Sequence, residues 1–265
     1  MPNETPQKML IVALLLCLVC SVLVSSAAVF LKPLQERNKE LDMKKNILAS
    51  ADLLQEGADV EQLFQSVEPR VVEFATGEYA DSIDPATFEQ RAAAKNPQTS
   101  TAIPRTQDIA RIGRRAKYGL VYLVRNERGG LKYIILPVHG KGLWSTMYGF
   151  IALQDDANTV AGITFYQQGE TAGLGAEVSN PEWNAKWRQK QVYGEEGQPT
   201  LQVVKGTVEP TAPNAEHKVD GIAGATLTSR GVTNLVRYWL GSHGYGPYLS
   251  RIREGELNDL NVEGG

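Results

Sequence analysis

Three short segments carry residues whose types and spacing suit chemistry. The first is Asp220-Gly221-Ile222-Ala223-Gly224-Ala225-Thr226-Leu227-Thr228-Ser229. It is rich in small residues and hydroxyls and leads straight into a helix-periodic stretch. A helix N-terminus presents unpaired N–H groups and a partial positive charge, so it favours a phosphate. Thr226 and Thr228 offer hydroxyls there, while Gly224 and Ala225 leave room for a bulky group. On pattern alone, the segment reads as a phosphate-binding loop or as a plain helix cap behind a tight turn. The second segment is Gln168-Gly169-Glu170-Thr171-Ala172-Gly173-Leu174-Gly175. Gly173 and Gly175 reach backbone conformations closed to other residues. Such a loop can lie against a flat ring and offer N–H groups to its carbonyls. Its glycine spacing is not a dinucleotide fingerprint, and an ordinary turn is the alternative. The third is Val138-His139-Gly140-Lys141-Gly142-Leu143-Trp144-Ser145. Leu143 and Trp144 can wall an apolar pocket, and Trp144 also suits a core. His139 has no histidine near it in sequence, so a structural role is expected, because metal binding needs partner ligands. No Ser-His-Asp, Cys-His or HExxH arrangement is evident.

The elements that must position these segments form an α+β pattern. Strand candidates rich in β-branched and aromatic residues cover 118–124, 131–136, 146–153 and 160–166. Turn residues separate the first pair and the second pair, so two hairpins of an antiparallel sheet are expected, joined through the third segment. The second segment follows the last of these strands. A short helix with proline in its first turn is expected over 181–189, and another strand over 201–205. Val232, Leu235, Val236, Trp239 and Leu240 recur at i, i+3, i+4, i+7 and i+8, the stripe of a buried helix face. Thr228 or Ser229 is the expected cap and Gly241 the expected stop. Upstream, 59–66 reads as a short helix, and 80–108 as short helices and loops punctuated by Pro85, Pro97 and Pro104.

Residues 9–31 contain no charged side chain. As a helix this run is about 35 Å long, enough to cross a bilayer core. An uncleaved membrane anchor is expected. A cleaved signal peptide is the alternative, with Ser25-Ser26-Ala27 as its small-residue site, but the run is long for an h-region and only Lys8 precedes it. A charged juxtamembrane helix over 34–54 should follow. The two cysteines, Cys17 and Cys20, both lie in the apolar run, where small apolar filler is the expected role. No disulfide framework, zinc knuckle or iron–sulfur motif is available elsewhere. A net charge of −3 and the lack of a basic stripe argue against nucleic acid.

Taken together, VEPRVVEFATGEY, LPVHGKGLWSTMYGF, QGETAGLGAEVSNPEW, VDGIAGATLTSRGV and YWLGSHGYGPYLSRIREG resemble a known family in kind and order. They are similar to the covalent FMN-binding domain family found in the C subunit of sodium-translocating NADH:quinone oxidoreductases. The G subunit of the related Rnf complexes shares that domain type. The resemblance implies five regions: a tail at 1–8, a transmembrane helix at 9–31, a juxtamembrane region at 32–114, an FMN-binding domain at 115–255 and a tail at 256–265. It also implies FMN joined through its phosphate to the threonine of a Ser/Thr-Gly-Ala-Thr motif. Here that residue is Thr226, with Thr228 the second choice. Ala223 stands where Ser or Thr is usual, and Ala172 where Pro is common; neither removes the acceptor hydroxyl. Asp220 matches an acidic motif residue that a dedicated flavin transferase needs during attachment. Leu143, Trp144, Thr171, Gly173, Leu174 and Gly175 are the candidates for packing or hydrogen-bonding the ring and ribityl chain. Glu170 is expected to hold the loop or contact the flavin, and Gly224, Ala225 and Leu227 to flank the tether.

The function so implied is an electron relay. Electrons enter from an iron–sulfur centre in partner subunits, pass to another flavin subunit and end at ubiquinone, and the complex exports sodium. This chain shows no NADH site of its own, and one span without an ionisable group is not an ion path. The resemblance places the anchor in the bacterial inner membrane and the FMN domain in the periplasm. Charge alone points the other way: Lys32, Arg37, Lys39, Lys44 and Lys45 follow the span and only Lys8 precedes it. The alternatives are an Rnf-type subunit with the same covalent FMN, and a non-redox membrane-anchored binding or assembly module.

Overall fold

The computed structural model describes residues 5–54 and 57–257, so the outer parts of both expected tails lie outside the described residues. Helix α1 runs Pro6–Ser50. The sequence separates a span from a juxtamembrane helix, whereas the structure joins them. Residues 34–49 are rich in Leu, Lys, Glu, Gln and Arg, all good helix formers. Pro33 lies within the helix without ending it, and a single proline removes only one ladder hydrogen bond. Residues 9–31 are exposed throughout, and α1 is the one described helix long and apolar enough to cross a membrane. The chain separates into two compact units, Met1–Met43 and Lys44–Gly265.

Within the second unit, the last turn of α1 packs on the sheet. Ile47, Leu48 and Ser50 are buried, and Thr164 Oγ1 donates to the Asn46 carbonyl at 3.2 Å. Helix α2, Val60–Phe64, follows; Asp59 caps it by accepting from the N–H groups of Glu61 and Gln62. Strand β1 is Val67–Glu73, helix α3 is Gln90–Lys95, and Ser100–Ala102 (β2) pairs with Arg114–Ala116 (β3). Then come β4, Tyr118–Arg125; β5, Leu131–Lys141; β6, Thr146–Gln154; and β7, Val160–Gln167. These four form a meander, and β1 pairs antiparallel with β4, giving the order β1-β4-β5-β6-β7.

The stretch 138–141 is not a link between two hairpins but the end of β5, in register with β6 from Tyr133↔Gln154 to Lys141↔Thr146. The strand carries Pro137 and Gly140, which mask its continuity in sequence. Only residues 142–145 remain as the connection, so Leu143 and Trp144 ride on a tight turn. Strand β1 is not among the expected strands, because Pro69 stands in it; it is an edge strand, where a missing N–H is tolerated.

After β7 come a 3-10 turn over Gly175–Ser179, helix α4 over Pro181–Ala185, and a short parallel pair, Gln202–Val203 (β8) with Lys218–Val219 (β9). The helix expected over 181–189 ends early, and the strand over 201–205 shrinks to two residues. Helix α5, Thr226–Leu240, lies across the sheet and α6, Gly246–Arg253, follows it. Val232, Leu235, Val236 and Trp239 of α5 share one core with Val121, Leu123, Leu136, Val138 and Ile151. Each such side chain contributes roughly 1.5–3 kcal/mol when fully buried. The Trp239 indole N–H donates to the His139 carbonyl at 2.6 Å, fixing α5 along β5. That contact sets where the N-terminus of α5 sits.

Candidate functional site

The three segments singled out in sequence meet at the start of α5. The helix begins at Thr226, and the preceding Ala225 caps it with no side-chain hydrogen bond. Neither Thr228 nor Ser229 is the cap, contrary to expectation, because both lie inside the first turn. Ser229 Oγ accepts from the Ile222 N–H at 3.3 Å. The Thr228 hydroxyl points inward and donates to Glu170 Oε2 at 2.6 Å. Thr228 is 1% exposed, whereas Thr226 is exposed to solvent. The uncapped helix start therefore presents one open hydroxyl together with the positive end of the helix dipole.

Glu170 ties the second segment to the third. Its Oε1 accepts from the N–H groups of Trp144 and Ser145, each at 3.0 Å, and its Oε2 from the Leu143 N–H at 3.1 Å. Burial acts first on this carboxyl and would raise its pKa. The hydrogen bonds from Thr228, Ser145, Trp144 and Leu143 outweigh burial and hold it below the ordinary glutamate value. Two glycines make room for the carboxylate: a Cβ on Gly142 would lie 2.6 Å from Glu170 Oε1, and one on Gly175 would lie 2.7 Å from Thr228 Oγ1. Gly175 thus serves close approach, while Gly173 adopts the positive φ (+73°) that its place in the loop leads one to expect.

Around this knot, Leu143, Trp144, Leu174 and Leu227 are exposed, Trp144 by 66%. Leu174 lies against Gly224, where an added Cβ would meet its Cδ2 at 2.7 Å. Ala225 is buried, and Thr171 is exposed with its carbonyl accepting from the N–H groups of Leu174 and Ala176. Asp220 is engaged within the fold. It pairs with Lys186 Nζ at 2.8 Å, accepts from the Val208 N–H, and its carbonyl accepts from the Trp183 indole N–H. His139 packs on Trp239 and Tyr148, with ring centroids at 4.8 and 5.3 Å. Burial first, then nearby Arg91, pushes its pKa down to about 4, so it is neutral.

Sequence reasoning missed Ser145 and Gln168 as parts of the site. Ser145 Oγ accepts from the Gly169 N–H at 2.7 Å, and Gln168 Oε1 from the Glu170 N–H at 2.6 Å. Both stand inside the segments already singled out, but a pairing across 24 residues leaves no periodic signal.

The arrangement fits FMN on two counts. An open hydroxyl at an uncapped helix start suits a phosphate, and exposed apolar side chains beside it suit a flat ring. Comparison with known proteins agrees. A family model described as "FMN-binding domain" matches residues 142–241. The C subunit of the Na(+)-translocating NADH-quinone reductase of Pseudomonas aeruginosa is 49% identical over 258 residues, covering 96% of this chain and 98% of that protein. The same subunit of Yersinia pestis is 46% identical over 97% of both chains. Among solved structures, Shewanella oneidensis NqrC superposes with a TM-score of 0.75 at 34% identity, covering 82% of this chain and 99% of that one. The corresponding protein from Parabacteroides distasonis gives 0.63 at 27% identity, covering 83% of this chain and 97% of that one. With its sheet, its helix α5 and its knot of three loops in place, this chain belongs to the NqrC family, the C subunits of Na(+)-translocating NADH-quinone reductases.

Proposed function

We propose that this chain is the membrane-anchored electron-relay subunit of a sodium-translocating NADH:quinone reductase, with one FMN esterified to Thr226. One observation carries the assignment of the tether. Of the two motif threonines, Thr226 is exposed at the uncapped start of α5, and Thr228 is buried with its hydroxyl given to Glu170. In the ester, a bond from Thr226 Oγ to the flavin phosphorus would replace a P–O bond of the flavin donor, whose leaving group departs, so the chain gains one FMN less one water. A flavin transferase makes it, and Asp220 is the acidic residue we assign to that encounter.

When bound, FMN supplies reversible electron transfer; the chain supplies position and electrostatics. Thr226 holds the phosphate end. The N–H groups and dipole of α5 complement the phosphate charge. Leu143, Trp144, Leu174 and Leu227 offer the ring an apolar surface, and Thr171, Gly173 and Gly175 shape the loop beside it. Helix α1 keeps the domain at the membrane, on the periplasmic side. Electrons arrive from an iron–sulfur centre in partner subunits and leave to a second flavin subunit. The extent of the likeness to the NqrC relatives, 46–49% identity across nearly the whole chain, favours this complex over an Rnf-type one.

The test is a denaturing gel of the full-length chain co-produced with a flavin transferase. Yellow-green flavin fluorescence should migrate with the protein band and vanish in Thr226→Ala. A dark wild-type band, beside a control protein flavinylated by the same transferase, would sink the reading and promote the non-redox module.

A further inference from the structure

A buried carboxylate that accepts from three successive backbone N–H groups is an internal anion in a nest built to hold one. Glu170 does this for Leu143, Trp144 and Ser145, and its remaining capacity takes the Thr228 hydroxyl. The donors come from two places far apart in sequence: the β5–β6 turn and the first turn of α5. Neither place bonds the other directly through these groups; both bond Glu170. Gly142 and Gly175 are the residues that let the carboxylate in, since a side chain at either would collide with it or with Thr228. The turn so held carries Trp144, the only strongly exposed indole of the chain's four; Trp183, Trp187 and Trp239 are 6%, 0% and 1% exposed.

We infer that Glu170 is a positioning residue of the flavin site: its carboxylate clamps the Leu143–Ser145 turn to the start of α5, and so holds Leu143 and Trp144 in place beside the tether. This rests on the FMN reading above. Glu170 does not touch the cofactor in this role. Both of its oxygens are taken by the chain, and it acts through the turn. A glutamine cannot replace it, because one side of the amide brings N–H donors toward a nest of N–H donors. An aspartate keeps the charge but is one methylene short, so it should restore the clamp in part.

The experiment uses the full-length chain in detergent, made with and without a flavin transferase, as wild type, Glu170→Gln, Glu170→Asp and a Leu131→Ala control that loosens the core at the opposite end of β5 from the clamped turn. Two things are read. Amide hydrogen exchange at residues 143–145 is followed in the flavin-free chain. Flavin per chain and the visible circular dichroism and fluorescence anisotropy of the bound flavin are measured in the loaded chain. We expect exchange at 143–145 to rise at least tenfold in Glu170→Gln and less in Glu170→Asp. We expect flavin load within twofold of wild type, and a flavin with weaker dichroism and lower anisotropy. Leu131→Ala should leave all four readouts near wild type. Unchanged exchange at 143–145 in Glu170→Gln overturns the clamp. So does a fall in load with exchange unchanged, which would mean that Glu170 meets the cofactor or the transferase directly. Wild type without covalent flavin overturns the FMN tether instead, and the exchange data still judge the clamp.

Discussion

Thr228→Val isolates one strut of the site. Valine keeps the shape and β-branching of threonine, so packing and helix propensity change little. What goes is the hydrogen bond from Oγ1 to Glu170 Oε2, 2.6 Å long and buried at both ends. A hydrogen bond to a charged group contributes about 1.5–3 kcal/mol. In a domain of this size each kcal/mol moves the melting temperature by about 2–4 °C, so a drop of about 3–12 °C is expected. The sign of the pH dependence follows from Glu170. Its folded pKa lies below the ordinary 4.5, so the stabilisation is fully present above that value. It is lost as pH falls through the folded pKa, where the carboxylate is protonated. The assay is thermal unfolding of the flavin-free full-length chain, followed by near-ultraviolet circular dichroism at pH 7 and in steps down to about pH 3. Wild type and variant should separate at neutral pH and converge in acid. A shift under about 1 °C at pH 7, or one of equal size at every pH, would refute the placement of an ionised Glu170 against Thr228. Thr226→Val, at the exposed start of the same helix, should change stability by no more than about 0.5 kcal/mol.

Three further substitutions probe the surroundings. Gly231→Ala puts a Cβ 2.6 Å from the Lys141 carbonyl oxygen and 3.1 Å from Gly142 Cα. Both are backbone atoms that cannot rotate away, so a loss of about 1–3 kcal/mol is expected, read by the same melts; no loss would mean α5 does not meet the end of β5 this closely. Leu235→Ala, fully buried under the sheet, should cost about 2–5 kcal/mol while the folded fraction still accepts flavin at Thr226. Asp220→Asn and Lys186→Met break the same ion pair from opposite ends. If Asp220 is read by the transferase, flavin attachment is lost in the first and kept in the second, as in-gel fluorescence will tell. Loss in both would assign Asp220 a purely structural part.

Much of this is legible in the sequence, and the remainder has physical reasons for being hidden. The α5 stripe, the strands at 118–125, 146–154 and 160–167 and the Gly241 stop follow from local periodicity and turn chemistry. Strand β5 looks short in sequence because Pro137 and Gly140 are breakers in isolation. In the sheet, the ladder with β6 carries the strand past both. The two helical stretches of α1 look separable because an uncharged run gives way to a charged one, yet the helix formers beyond Pro33 keep the helix going. Within the site, the hydroxyls, glycines and apolar side chains are visible as segments. The resemblance ranks Thr226 ahead of Thr228, but the physical difference between the two hydroxyls is not visible, because it depends on which face of α5 turns toward Glu170. That orientation is set by packing at Leu235 and Trp239, farther along the helix. The partners of Glu170 are equally hidden, since they lie 25–27 residues back and 58 residues ahead.

The most direct measurement is peptide mass spectrometry of the full-length chain produced with its flavin transferase, wild type beside Thr226→Ala. The expected result is a mass gain of one FMN less one water on the peptide holding residues 220–230, with fragment ions placing it on Thr226, and no gain in the variant. Flavin found on Thr228 in wild type, or attachment that persists on Thr228 in Thr226→Ala, would contradict the buried, Glu170-bound hydroxyl on which the assignment of the tether rests.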